Sequence, residues 1–134
     1  MTNRTITDAS LKVTTALPAA AANADSASID LGSVEIFPTN EFIDVKLSVP
    51  ALPALVDDKT VTFTFQDSAD DSTFAAISEL ATLVVTGAGG AGAAATSTVV
   101  KLPGNTKRYI NVNAAVLTAG GDNTGVSYTL EVLS

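Results

Sequence analysis

Residues 60–74 read TVTFTFQDSADDSTF. In the first seven, Val61, Phe63 and Phe65 alternate with Thr60, Thr62, Thr64 and Gln66. A repeat of two is the period of a pleated strand, whose side chains point to opposite faces in turn. Apolar residues on one side and threonines on the other describe a strand with one face in a core and one in water. β-Branched and aromatic side chains also suit a pleated surface. After Gln66 the alternation stops. Asp67, Asp70 and Asp71 crowd together among Ser68, Ser72 and Thr73. The crowd is either a reactive acidic site or the turn that ends the strand.

The same period recurs outward in both directions. Residues 43–49 put Ile43, Val45, Leu47 and Val49 on one face. Residues 108–116 do so with Ile110, Val112, Ala114 and Val116, leaving Tyr109, Asn111 and Asn113 on the other face. Residues 125–133 do so with Val126, Tyr128, Leu130 and Val132. Shorter candidates lie at 11–17, 27–31, 82–86 and 97–102. About eight such strands predict an all-β, antiparallel β-sandwich or jelly roll in a single domain. A chain of 134 residues is of ordinary domain size. It can bury roughly two-thirds of its unfolded surface. The sandwich is expected over 11–134, and the polar, unpatterned residues 1–10 as a flexible N-terminal arm.

Helical signals are thin. STFAAISEL (72–80) is read as a helical turn or two capped by Ser72. The alanines at 19–22 follow Pro18 and are too few for an independent helix. VPALPALVDDK (49–59) breaks at Pro50 and Pro53 and turns at Asp57–Asp58. TGAGGAGAAAT (86–96) reads as a hairpin-like, flexible spacer, and TAGGDNTG (118–125) as a loop of turn formers.

Composition removes several function classes. Acidic residues number 14 against seven basic ones, and the basic ones are scattered. Phosphate backbones require clustered Lys and Arg, so nucleic acid is not an expected partner. There is no Cys and no His, hence no disulfide frame, no thiol chemistry and none of the commonest general base or zinc ligand. No stretch approaches the roughly 18 apolar residues of a membrane helix. The opening MTNRTITDAS lacks the apolar core of a signal peptide. The expectation is a protein made and used without crossing a membrane.

The acidic cluster fails as a calcium loop. Counting from Asp67, the third, sixth and twelfth positions are Ala69, Ser72 and Ser78, where such a loop needs an acid or amide, Gly and Glu. A solvated turn with local side-chain to backbone bonds is the better reading. No pair of carboxylates has a spacing that favours glycoside hydrolysis. Residues 87–92 lack the Lys-Ser/Thr ending of a phosphate loop. No serine has a His to activate it. Asn111 and Asn113 could hold a sugar or a protein, or form a solvated face. Lys107–Arg108 could anchor a carboxylate on a neighbouring subunit, or be exposed at a strand start. No catalytic residue, cofactor or metal is expected, and the chain is read as a non-enzyme.

Three stretches then carry a resemblance. They are SASIDLG (26–32), VTFTFQDSADDSTFAAI (61–77) and LPGNTKRYINVNAAV (102–116), with a closing strand GVSYTL. In this order they resemble the capsid cement, or decoration, proteins of tailed bacteriophages, of the Bordetella-phage cement protein type. The likeness spans about residues 8–133. It implies a jelly-roll-like fold on the outer surface of the virion, assembled in the host cytoplasm. It implies the major capsid protein as partner, and self-association as a homodimer, with a trimer as the other option. It carries over no catalytic residues. In this reading the Asp-rich stretch is a strand-to-turn joint with Phe74 returning to the core. Arg4, Lys107 and Arg108 are the candidate capsid contacts. The rival reading is a carbohydrate- or host-binding β-sandwich module of a phage head or tail. Such modules stack sugar rings on aromatic platforms, and this chain has no Trp and only Tyr109 and Tyr128.

Overall fold

The computed structural model describes residues 12–31, 44–103 and 106–133. The arm at 1–10, and with it Arg4, lies outside the described residues, as does Ile43. The strands are β1 (Lys12–Ala16), β2 (Asn23–Asp25), β3 (Ile29–Asp30), β4 (Asp44–Val49), β5 (Thr60–Ser68), β6 (Ala75–Ala76), β7 (Leu83–Thr86), β8 (Thr96–Lys101), β9 (Tyr109–Val116) and β10 (Ser127–Leu133). No helix occurs among the described residues.

Two antiparallel sheets face each other. The first has the order β1-β10-β4-β8. In the second, β9 and β5 are central, β2 and β3 share the outer edge of β9, and β6 and β7 share the outer edge of β5. Counted by position, this is four strands over four. The chain crosses between sheets at nearly every connection, which is jelly-roll topology. The eight expected strands become ten segments because two edge strands are broken. The break between β2 and β3 falls at Ser26–Ser28. There Ser26 N–H donates to Val112 O at 2.8 Å, and Ser26 Oγ accepts from Val112 N–H at 3.1 Å. A hydroxyl thus stands in for a missing carbonyl, and the ladder continues across the gap. β2 has no apolar run of its own; it is held by pairing Asn23–Asp25 with Asn113–Ala115.

The core is filled by the residues of inward parity. Val61, Phe63 and Phe65 from β5 meet Val45, Leu47 and Val49 from β4, with Val112, Ala114, Tyr128 and Leu130. Phe63 and Tyr128 pack edge to face, with ring centroids 5.1 Å apart at 68°. Burial in this apolar setting, with the negative charge of Asp25 as a second cause, pushes the Tyr128 phenol up to about 12.

Three local expectations are corrected. Residues 72–80 form no helix. Ala75 and Ala76 pair with Asp67 and Gln66, and Ile77 N–H donates to Phe65 O at 2.8 Å. A weak helical propensity loses to an open strand edge. Ser72 does not cap; its own N–H is capped by Asp70. Phe74 stays half-buried, and Ile77, 6% exposed, takes the core position instead. The Gly/Ala stretch is not a flexible spacer. Leu52 and Ala93 exchange both backbone hydrogen bonds, at 2.8 and 3.0 Å. Asp58 N–H donates to Gly87 O, and Gly87 N–H to Lys59 O. The glycines allow this closeness: a Cβ on Gly87 would sit 2.4 Å from Val56 O.

Candidate binding surfaces

The topology sorts the loops onto two ends. One end carries the connections 69–74 (β5 to β6) and 102–108 (β8 to β9). The other carries 17–22, 50–59, 87–95 and 117–126, linking β1 to β2, β4 to β5, β7 to β8 and β9 to β10.

The first end contains the acidic cluster and the basic pair. Asp70 Oδ1 accepts from Ser68 Oγ at 2.8 Å and from the N–H groups of Ser72 and Thr73 at 3.0 and 3.1 Å. That is a local turn, and Asp71 at φ 61° reverses the chain within it. The Ser68 hydroxyl, then the two backbone N–H groups, hold the Asp70 carboxyl below its ordinary value. Asp67 Oδ2 accepts from Lys107 N–H at 3.0 Å and ties the two loops together. Among the described residues, no three acidic side chains group as metal ligands would. The bonds within 68–73 are those of a local turn, as the turn reading expects.

This geometry has a pH consequence. A carboxyl held low in the native state adds stability that is fully present above its unfolded value of 3.8. That stability is lost as pH falls through the lower native value. Asp70→Asn should therefore be less stable than the parent near neutrality, and the gap should close below pH 3.8. Urea unfolding at a series of pH values checks this; a gap of constant size would contradict it.

Lys107 and Arg108 lie together here, but their roles differ. Arg108 forms a fork with Asp30, Nε to Oδ1 at 2.7 Å and Nη2 to Oδ2 at 2.9 Å. Its guanidinium also stands 5.1 Å from the Tyr109 ring centre. Asp30, by hydrogen bond and by charge, raises the Arg108 pKa above its ordinary value. Arg108 is thus engaged within the chain, and the Lys107 side chain is exposed.

The outer face of the second sheet holds the amides. Asn113 Nδ2 donates to Asp25 Oδ1 at 2.8 Å and Asn23 Oδ1 at 3.1 Å. Asn111 has outward parity as expected, yet it is only 3% exposed. It lies opposite Gln66, and Asn111 Oδ1 and Gln66 Oε1 are both buried without a partner. Strand period alone could not reveal that burial.

The second end is rich in Ala, Gly and Pro, with four ionisable side chains, Asp57, Asp58, Lys59 and Asp122. Val56 and Leu117 are 43% and 46% exposed there. Beside Leu117 an open groove of about 230 Å³ is lined by Ala21, Ala22, Thr60, Thr62 and Ala115 among others. Sequence reading did not single out this end, although its shortage of charge is visible in the four loop sequences.

No protein-family model matches this chain, and no curated protein matches it. Among solved structures, the fold is similar to that of PBSX exported protein XepA, with a TM-score of 0.53 and 18% sequence identity. The similarity covers 89% of this chain and 34% of that one, so the chain spans about a third of the length of the structure it matches. At that identity the likeness shows a shared β-sandwich fold.

Proposed function

We propose that this chain is a tailed-phage structural protein that decorates the outer surface of the capsid and cements it by bridging major capsid subunits. One observation carries the reading. The three stretches that resemble cement proteins, far apart in sequence, fold next to one another. Ile29–Asp30 pairs with Tyr109–Ile110, and Val61–Ser68 pairs with Tyr109–Val116. They occupy three adjacent positions of a single sheet, as a shared fold requires.

The mechanism is linkage. A protein that binds the assembled shell, and not its dissociated subunits, shifts the equilibrium toward the shell. At a free concentration about 1,000 times Kd, each site gains roughly 4 kcal/mol. A two-fold homodimer would present equivalent feet to two capsomers, with the second foot held at high effective concentration. The role needs no catalytic residue, and the assembly would take place in the host cytoplasm. The Asn23, Asp25 and Asn113 cluster on the outer face of the second sheet favours one other reading, a glycan- or host-binding module.

The test is co-sedimentation of the purified chain with heads that lack it and, separately, with dissociated capsid subunits. Saturable binding to heads alone is expected. Equal binding to both, or to neither, together with capture on a glycan array, would replace this reading with the adhesion module.

A further inference from the structure

The four-loop end is unusual for an acidic protein. Across 17–22, 50–59, 87–95 and 117–126, the ionisable side chains are Asp57, Asp58, Asp122 and the half-buried Lys59. Most of the remaining exposed positions are Ala, Gly or Pro, with Val56 and Leu117 as the large apolar groups. The loops that carry Val56 and Leu117 adjoin. Val56 N–H donates to Gly120 O at 3.2 Å, and a methyl group on Gly121 would touch Val56 Cγ2 at 3.4 Å. Gly120 N–H in turn donates to Leu117 O at 3.0 Å. An exposed apolar patch with a polar rim is the usual anatomy of a protein-docking site.

These loops are also fixed before any partner arrives. Leu52 and Ala93 lock the 50–59 loop to the 87–95 loop, and Asp57 Oδ1 accepts from Gly90 N–H at 2.8 Å. Ala21 N–H donates to Val116 O at 3.0 Å and anchors the 17–22 loop. A preformed surface loses little conformational freedom on binding, so more of its contact energy appears as affinity. The groove beside Leu117 adds a concave seat at the shoulder of the same end.

We infer that this end, and not the Lys107–Arg108 end, is the foot that seats on the capsid. Its occupant is a shell-subunit surface with an apolar projection that enters the groove beside Leu117, flanked by Lys or Arg side chains that meet Asp58 and Asp122. That occupant follows from complementarity: the groove is lined mostly by alanines and threonines, and the exposed charges of the four-loop end are negative. The inference rests on the cement reading, and its test separates the two.

The experiment titrates undecorated heads with the full chain and its variants, each checked by its melting curve. Val56→Ser and Leu117→Ser should each weaken binding about tenfold or more, as loss of a central apolar contact does. Thr118→Lys, at an exposed groove position, places a charge of the wrong sign without removing a buried atom. It should weaken binding even if Leu117→Ser fails to fold. Asp58→Asn with Asp122→Asn should weaken binding and reduce its salt dependence. Lys107→Ser and Val99→Ser, placed elsewhere, should change it less than about twofold. If the parent binds heads while Leu117→Ser and Thr118→Lys bind as well as the parent, the foot is elsewhere and the inference fails alone. Loss of binding in Lys107→Ser would move the foot to the opposite end. If the parent does not bind heads, the cement reading fails and the inference falls with it.

Discussion

Phe63→Ala is expected to lower the unfolding free energy by about 3–5 kcal/mol. The side chain is completely buried at the centre of β5. Its removal leaves a cavity between the sheets and also ends the edge-to-face contact with Tyr128. Such aromatic pairs contribute about 0.5–1.5 kcal/mol beyond the area they bury. Domains of this kind are stable by only about 5–15 kcal/mol, so the variant should be near the limit of folding. Thr62→Ala and Thr64→Ala, one position away and facing outward, should each change stability far less. Chemical denaturation of the three variants measures the contrast. Threonine variants more damaging than Phe63→Ala would mean that the strand's faces are reversed.

Gly92→Ala is expected to cost about 3 kcal/mol, from two sources. The backbone at Gly92 has φ 72°, a left-handed conformation that costs a residue with a Cβ about 1–2 kcal/mol. The new Cβ would also lie 1.9 Å from Leu52 O, a backbone atom that cannot rotate away. Relief requires the two loops to separate, which breaks the Leu52–Ala93 pair at about 1 kcal/mol per hydrogen bond. Gly89 and Gly90 share the left-handed conformation, at 67° and 71°, but have open space around them. Their alanine variants should carry the conformational cost only. Equal losses at Gly89 and Gly92 would show that the close approach to Leu52 contributes nothing.

The large strands were legible because burial imposes a period of two. Val61, Phe63 and Phe65 read correctly from spacing alone, as did Val126, Tyr128, Leu130 and Val132; all of these are buried or half-buried. The failures share a physical cause: the deciding partner was elsewhere in the chain. Asn23–Asp25 becomes a strand because β9 offers it a ladder. Ala75–Ala76 leaves its helical propensity for the free edge of β5. The Gly/Ala stretch has almost no side chains to pattern, so its information lies in backbone angle and close approach, seen at Gly87 and Gly92.

The candidate surfaces follow the same division. The Asp67–Asp71 turn was readable because its bonds are mostly local, within the span 68–73. That Arg108 is engaged with Asp30, 78 positions away, was not. Nor was the apolar end, which exists only once four separate loops are gathered by the jelly-roll topology.

The most direct test of the cement reading is the temperature at which heads rupture. Heads lacking this protein should release their DNA at a lower temperature than decorated heads, and adding the purified chain back should restore the higher value. Identical rupture temperatures for bare and decorated heads would contradict it.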